Sequence, residues 1–250
     1  MSSVLLTAAY FPPVQYFAAL SESVRRCIFS SSSQSQPREA ASAGAGCKKP
    51  VVYIEACENY QKQSYRNRCH FYSASGMQSL SFPVVHGEST VSLPITEIRV
   101  DYSRPWLQQH KRAIVSAYRS SAYFEYYQDD LFAILDSRPE TLWDLDISLT
   151  EFFLDRIGIP AELRPTDRFA VPDGAVCGDG VWKGLPYCTG YDACDLREVI
   201  HPKRPDDILH RLGKEKPYFQ VFARKYGFIG SLSVMDLLFN EGPDSISYII

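Results

Sequence analysis

The chain has 250 residues, of which 45% are hydrophobic and 22% are charged, and its formal net charge is −3. This composition is typical of a globular protein with enough apolar residues for a substantial core. The small negative charge argues against a dedicated nucleic-acid-binding protein, which would normally carry a basic face.

The first elements predict a βαβ unit. Residues 4–9 form a short apolar run that predicts a buried strand. Pro12 and Pro13 follow, and residues 14–20 predict a helix, because proline is favoured in the first turn of a helix. The apolar run 51–54 predicts a second strand over residues 51–56. Two strands joined through a helix indicate parallel pairing.

The segment between this helix and the second strand has a different composition. Residues 23–50 are rich in serine, alanine and glycine and contain almost no large apolar side chain after Phe29. Such a segment cannot bury enough surface to offset the entropy lost on ordering. We therefore predict that residues 23–50 are a low-complexity, disordered or weakly ordered insertion.

Further along, residues 69–72 and 78–85 predict a β-hairpin around a serine- and glycine-containing turn at 73–76. Ile95, Ile98 and Val100 then predict another strand, which ends at Asp101.

The second half of the chain changes to helical periodicity. Helices are predicted from Trp106 to about residue 118, over 123–135, over 142–157 before Gly158, and from Val234 after the N-cap Ser233. The order of elements predicts one α/β domain over residues 1–250. We expect a Rossmann-like, mostly parallel sheet with an inserted β-hairpin and a helical C-terminal half.

Cysteine usage and hydropathy set the expected compartment. Seven cysteines, an odd number, fit reduced cytoplasmic thiols better than a disulfide framework. Cys177, Cys188 and Cys194 lack the paired spacing of common zinc sites, so we expect no metal. No apolar run reaches the roughly 18 residues of a membrane-spanning helix, and the N-terminus lacks the basic region of a signal peptide.

The stretch Asn59 to Phe71, NYQKQSYRNRCHF, is the strongest candidate for a ligand site. Guanidinium groups offer fixed N–H donors, aromatic rings offer stacking faces, and α/β folds bind ligands just beyond strand ends. The stretch therefore predicts a pocket for an anionic or highly hydroxylated ligand. A polar hairpin with solvated cations is the alternative. The candidate binding residues are Asn59, Gln61, Lys62, Tyr65, Arg66, Asn67 and Arg68.

Two further regions supply candidates near this stretch. Tyr10, Gln15 and Tyr16 lie at the turn from the first strand to the first helix, where a ligand could bind; a rigid turn with Tyr16 in the core is equally compatible. Glu55 precedes the arginines, which would hold its carboxylate ionised. It could orient the guanidinium groups or act as a base, and a structural ion pair is the alternative.

His110 and Lys111 lie near the start of a predicted helix, where cations are unfavourable unless an anion is close. Histidine exchanges protons near neutral pH, so His110 is a candidate base. An inert histidine on a helix surface is the alternative. His201 is a further candidate, with the same alternative. Asn240, at the end of the last predicted helix, is the one polar candidate in an otherwise apolar segment.

Several strings in the chain resemble the WbqC-like protein family of bacteria. They are TAAYFPPVQYFAAL, VVYIEACENYQKQSYRNRCHF, SFPV, ITEIRVDYSRPWLQQHKRAIVSAY and FIGSLSVMDLLFNEGP. The resemblance covers nearly the whole chain apart from residues 23–50, and the family is associated with gene clusters for O-antigen and other surface polysaccharides. It implies a cytoplasmic protein that acts on nucleotide-linked amino sugars, by adding an acyl group or an aminoacyl group such as glycine.

A fainter likeness is to nucleotidylyltransferase-type Rossmann enzymes such as pantothenate synthetase, which bind ATP at the turn after the first strand. The characteristic histidines of those enzymes are missing here, and Pro13, Gln15 and Tyr16 stand roughly in their place. The likeness is one of fold alone. We therefore predict no cofactor.

The leading hypothesis is a transferase that acts on a small nucleotide-sugar-like or carboxylate-bearing ligand. Arg66 and Arg68 would hold its diphosphate or carboxylate, the amides of the same stretch would bind hydroxyls, and tyrosines would stack on sugar or base. Glu55 or His110 would accept the proton of the attacking amine. The alternatives are a non-catalytic nucleotide-sugar-binding component of a biosynthetic complex and, third, a structural interaction protein. The oligomeric state stays open.

Overall fold

The computed structural model describes residues 3–32, 49–85, 93–178 and 180–250. The strands in these ranges are β1 (Ser3–Thr7), β2 (Val51–Glu55), β3 (Arg68–Ser73), β4 (Gly76–Ser81), β5 (Glu162–Pro165), β6 (Tyr187–Cys188) and β7 (Ala193–Asp195). The α-helices there are α1 (Val14–Ser32), α2 (Trp106–Tyr118), α3 (Phe124–Asp136), α4 (Leu142–Ile157), α5 (Ile208–Arg211), α6 (Ala223–Tyr226), α7 (Val234–Glu241) and α8 (Ile246–Ile249).

Five strands form one mixed sheet in the order β5-β2-β1-β7-β6. All neighbouring pairs are parallel except β6 with β7. Central strand β1 is buried on both faces, which explains its continuous apolar sequence. Val4 and Leu6 join the main core, whereas Leu5 packs into a smaller cluster with Ala170 and Ala193. The predicted α/β class with a mostly parallel sheet is confirmed.

Strands β3 and β4 form a separate antiparallel hairpin, as predicted from the turn residues. Ser73 pairs with Gly76 across the turn, and the Ser73 hydroxyl donates to the Gly76 carbonyl at 3.0 Å. Gly76 has a φ of +93°, a conformation that residues with a side chain rarely adopt. The hairpin is therefore encoded locally.

Helix α1 continues well past its predicted end. It extends to Ser32, so residues 23–32, expected to belong to the insertion, are helical. Val24 is buried, and Glu22 accepts hydrogen bonds from Arg25 at 2.9 Å and Arg26 at 2.7 Å. Such pairs three and four residues apart stabilise a helix. The rest of the expected insertion, residues 33–48, lies outside the described residues.

The strand predicted around Ile95, Ile98 and Val100 is wrong. Ile95–Glu97 form a 3-10 helix, and Val100 makes only an isolated bridge with Val84. The segment is held instead by α4, because the Leu142 amide donates to the Ile98 carbonyl at 2.7 Å. The apolar residues that predicted a strand therefore belong to an irregular segment that is buried against a helix.

The helical half follows the predicted boundaries closely. The Thr141 side chain caps α4 by accepting from the Asp144 amide, and Gly158 ends the helix with a φ of 84°. Ser233 caps α7 in the same way through the Met235 amide. Over the described ranges, no helix is long and apolar enough to cross a membrane.

Candidate functional site

Arg66 is fully engaged by the protein itself. It is 2% exposed, and its guanidinium donates from Nε to Glu58 Oε1 at 2.8 Å and from Nη2 to Glu58 Oε2 at 2.5 Å. Nη1 reaches Gln61 Oε1 at 3.4 Å. Burial raises the pKa of Glu58, and the positive charge of Arg66 opposes this rise. The fork expected to grip a ligand is therefore occupied by an internal carboxylate.

Glu55, one of the two predicted bases, is fully buried and hydrogen-bonded at both oxygens. Oε1 accepts from the Cys57 amide at 2.9 Å and the Thr166 hydroxyl at 2.6 Å. Oε2 accepts from the Ala170 amide at 3.0 Å and from Arg197 Nη1 at 2.7 Å. Arg197 also binds the carboxylate at the end of β7. These contacts tie the ends of β2 and β7 together, so the role of Glu55 is structural.

His110, the other predicted base, is 3% exposed. Its Nδ1 lies 2.8 Å from the hydroxyl of Tyr10, which is fully buried. Burial lowers the pKa of His110 to about 4. This pair holds α2 against the turn after β1.

Tyr16 and Asn67 also make internal hydrogen bonds. The Tyr16 hydroxyl donates to the Thr7 carbonyl at 3.0 Å inside the core. This position agrees with the alternative prediction of a rigid turn with Tyr16 in the core. Asn67 Nδ2 donates to the Phe82 carbonyl at 2.9 Å and so joins the hairpin to the chain beyond it. Both side chains connect backbone segments.

Lys111 and Asn240 lie in the helical half. Lys111 Nζ is 2.7 Å from Asp136, an ion pair between α2 and α3. Asn240 donates to the Asp236 carbonyl one turn earlier in α7 at 2.7 Å. Of the remaining candidates, Asn59, Gln61 and Lys62 are exposed and Arg68 is half-buried.

The main cavity of the described structure has a volume of about 610 Å³. Three backbone segments meet beneath it: the Val14 amide donates to the Leu232 carbonyl at 2.9 Å, and the Ser233 amide donates to the His70 carbonyl at 2.8 Å. The start of α1, strand β3 and the segment before α7 are thereby joined. The lining includes Val14, Gln15, Tyr65, His70, Met77, residues 201–206, 214–216 and 230–231, Leu209, His210, Tyr218, Phe228 and Tyr248.

The cavity is placed where parallel sheets usually bind ligands. Gln15 follows the carboxyl end of β1, Tyr65 follows that of β2, and His201 follows that of β7. Because parallel strands end at one edge of the sheet, these segments converge there.

Positive charge dominates the lining of this cavity. Four cations, Lys203, Arg204, Lys214 and Lys216, face two carboxylates. One of those carboxylates, Glu215, is 2.8 Å from the His210 ring. The charge of the lining therefore favours an anionic ligand.

Aromatic rings form the apolar part of the wall. The ring of Tyr218 contacts those of Phe228 and Tyr248, with centroids 5.2 and 5.8 Å apart. The Tyr218 hydroxyl donates to the buried carboxylate of Asp236 at 2.8 Å, which fixes the ring. Tyr218 itself is buried, so the ring surface that is open to the cavity comes from Phe228, which is exposed, and Tyr248, which is half-buried.

Three imidazoles line the cavity: His210, which is bound to Glu215, and His70 and His201 from other elements. Burial and the charge of Arg68 lower the pKa of His70, and burial and the charge of Arg204 lower that of His201. Both rings are therefore neutral at pH 7. The Lys203 amide donates to His201 Nδ1 at 3.2 Å, so His201 carries its proton on Nε2 and is a donor. The His70 ring lies against the ring of Tyr65, with centroids 5.9 Å apart.

Of the residues predicted for the site, Gln15, Tyr65 and His201 line this cavity. The stretch from 59 to 71 borders it, since Lys203 Nζ hydrogen-bonds to Gln63 Oε1. The basic strings HPKRPDD from residue 201 and GKEKP from residue 213 were a readable signal. They were missed because neither follows a recognisable strand in the sequence. Over the described ranges, no cluster of His, Cys, Asp and Glu is arranged to hold a metal ion.

The order of the five strands and the separate hairpin define the class as α/β proteins with a mostly parallel sheet. The model of the WbqC-like protein family matches residues 48–180, more than half of the chain, and the chain belongs to this family. The resemblance seen in the sequence is thereby confirmed.

The chain is also 25% identical, over 211 residues, to the uncharacterized protein Rv1507c of Mycobacterium tuberculosis. The similarity covers 80% of this chain and 86% of that protein. No solved structure matches the chain. Most of the cavity lining lies outside the matched family segment, which contributes Tyr65, His70 and Met77.

Proposed function

We propose that this protein is a transferase of surface-polysaccharide biosynthesis, which adds an acyl or aminoacyl group to the amine of a nucleotide-linked amino sugar. The observation that carries the proposal is the cavity of about 610 Å³ at the carboxyl edge of the sheet. Lysine and arginine side chains form its cationic rim, and aromatic rings form part of its wall. Membership of the WbqC-like family supplies the polysaccharide context. We place the reaction in the cytoplasm, in keeping with the free thiols of the described cysteines.

The proposed ligand matches the cavity in size and charge. The cavity volume of about 610 Å³ falls within the range of roughly 300–1,000 Å³ that is usual for small-molecule pockets. Lys214 and Lys216 would neutralise the diphosphate, and the rings of Phe228 and Tyr248 would stack on the base or sugar. Lys216 Nζ already lies 4.6 Å from the centre of the Tyr248 ring, so charge and stacking surface are adjacent.

The proposed chemistry is acyl transfer between bound reactants. The amine nitrogen attacks the acyl carbon of a thioester or ester donor, an amide bond forms, and the bond to the leaving thiol or hydroxyl breaks. His70 accepts the proton lost by the amine and passes it to the leaving group. The Nε2–H of His201 donates to the acyl oxygen as negative charge develops there.

A non-catalytic nucleotide-sugar-binding component is the second candidate function. One observation favours it: Glu55 and His110, the two bases expected from the sequence, are buried and hydrogen-bonded away from the cavity. In that case the cavity binds its ligand for a partner enzyme, and His70 and His201 serve recognition alone.

The binding step is tested with nucleotide sugars as probes. UDP-glucosamine and UDP-glucose should raise the melting temperature of the protein. The double substitution Lys214→Gln and Lys216→Gln should abolish this shift, whereas Lys183→Gln, an exposed lysine outside the cavity, should leave it intact. An unchanged shift in the double variant places binding elsewhere and refutes the cavity as the site.

The catalytic step is tested by product mass. Incubation of UDP-glucosamine with acyl thioesters and aminoacyl esters should yield a product heavier by one acyl group. His70→Asn should lose this product while keeping the ligand-induced shift. If wild type binds the sugar but forms no product with any donor, the non-catalytic function replaces the transferase.

A further inference from the structure

Gln15 occupies an unusual position in the lining of the cavity. It lies in the first turn of α1, is 3% exposed, and donates from Nε2 to Asp206 Oδ2 at 3.3 Å. Its amide oxygen Oε1 is buried and has no hydrogen-bond partner among the described residues. A buried acceptor in this state is unfavourable unless a donor reaches it.

The hydrogen bonds of Asp206 determine how the Gln15 amide is oriented. Asp206 Oδ1 accepts from the Ile208 amide at 3.2 Å, and Oδ2 accepts from Gln15. An ionised carboxylate only accepts hydrogen bonds, so the NH₂ group of Gln15 must face it. The amide oxygen of Gln15 is consequently presented as a second acceptor beside the carboxylate.

Asp206 also lacks a cationic partner among the described residues. Burial raises its pKa, and the hydrogen bonds from Ile208 and Gln15 only partly offset this effect. The other carboxylate of the lining, Glu215, is exposed and bound to His210. Negative charge and unused acceptor capacity are thus concentrated at one place in an otherwise basic cavity.

We propose that Gln15 and Asp206 form a subsite for the primary amine of the ligand. On binding, an ammonium group placed there donates to the free Gln15 oxygen and pairs with the Asp206 carboxylate, and it then releases one proton to solvent to give the neutral amine that attacks. The cavity then takes a molecule that is cationic at this end and anionic at the rim of Lys214 and Lys216. This inference rests on the proposed function and adds which residues recognise the amine.

The test compares ligands that differ only at the amine. Titration calorimetry at pH 7 should show UDP-glucosamine binding wild type about tenfold more tightly than UDP-glucose, since hydrogen bonds to charged groups are the stronger kind. Asp206→Asn and Gln15→Met should each remove this preference, so that the two sugars bind with the same affinity. Asp129→Asn, at an exposed site on α3, should keep the preference. Equal binding of both sugars by wild type, or a preference that survives both substitutions, overturns the subsite.

A second measurement separates this inference from the nucleotide-sugar proposal. Saturation-transfer NMR with free glucosamine and free glucose needs no nucleotide. Wild type should saturate glucosamine and leave glucose unsaturated, and Asp206→Asn should lose the glucosamine signal. This result with no binding of either UDP-sugar would refute the proposed function and retain the amine subsite. Equal signals for the two sugars would refute the subsite whatever UDP-sugars do.

Discussion

Two regions of this protein are rich in charge and behave in opposite ways. The buried pairs, Arg66 with Glu58 and Arg197 with Glu55, are almost fully shielded from solvent. The cavity rim, by contrast, carries Lys214 among cations that have exposed surface and face open space. In sequence, the region around Arg66 is the denser cluster and the better candidate. The difference shows that a guanidinium group is free to bind a ligand only if no internal carboxylate already accepts its hydrogen bonds.

The location of the buried pairs explains why they are structural. Glu55 ends β2, Glu58 follows it, and Arg197 follows β7, so three of the four charged groups lie at the carboxyl ends of these strands. Arg197 Nη2 donates to the Ala170 carbonyl at 2.6 Å, and Glu55 accepts from the Ala170 amide at 3.0 Å. These contacts hold the segment around Ala170 in place. The cavity opens beside this part of the edge.

The largest effect should come from breaking a buried pair. Arg66→Met leaves the Glu58 carboxylate buried without its partner, and we expect the free energy of unfolding to fall by roughly 3–5 kcal/mol. Urea unfolding at pH 7 measures this loss.

The matched control removes both charges. Arg66→Met combined with Glu58→Leu should recover most of the lost stability, because no unpaired charge remains. A single Arg66→Met variant as stable as wild type, but unable to bind UDP-glucose, would reverse the comparison and make Arg66 a ligand-binding residue.

A second effect should appear on acidification through His110. Its pKa of about 4 lies below the usual value of 6.5, so the folded state favours the neutral ring. The resulting stability is fully present above pH 6.5 and is lost as pH falls towards 4. Wild type should lose roughly 3 kcal/mol more than His110→Gln over this range. Urea unfolding between pH 7 and pH 4 compares them.

The control for this prediction is an exposed histidine. The Glu215 carboxylate raises the pKa of His210. Protonation of this ring at low pH therefore does not destabilise the fold as protonation of His110 does. His210→Gln should therefore follow wild type through the acid range. If His110→Gln also follows wild type, His110 is accessible to protons and its candidacy as a base is restored.

The smallest effect should be the salt dependence of binding at the cavity rim. Exposed cations contribute about 1 kcal/mol or less each, and salt screens them. Lys214→Gln should weaken UDP-glucose binding about fivefold at low salt and much less at 0.5 M sodium chloride, with unfolding free energy unchanged. Calorimetric titrations at two salt concentrations measure it. Affinity insensitive to both salt and Lys214→Gln would separate the rim from ligand binding.

Much of the fold could be predicted because the signals are local. Ser233 predicts the start of α7 through its own side chain, and Gly158 predicts the end of α4 through its left-handed backbone. Strand β2 begins with the apolar run 51–54. The strand expected at 95–100 was wrong because the Leu142 amide of α4 binds the Ile98 carbonyl, a contact between distant segments.

The candidate site was predicted only in part, for a related reason. Gln15 and Tyr65 line the cavity as expected, since both follow strands that end at the same edge. His70, Lys214 and Lys216 were not selected, because their place beside that edge depends on how β3 and the chain beyond residue 200 pack.

The sequence by itself determined the α/β class, the family, the turns and most helix boundaries. These depend on residue type and spacing, which act over a few neighbouring residues. Only the tertiary structure decided which charges are paired and which face a ligand. Whether Arg66 binds Glu58 or an outside anion is decided by burial and by partners that folding brings near, and neither can be read from the order of residues.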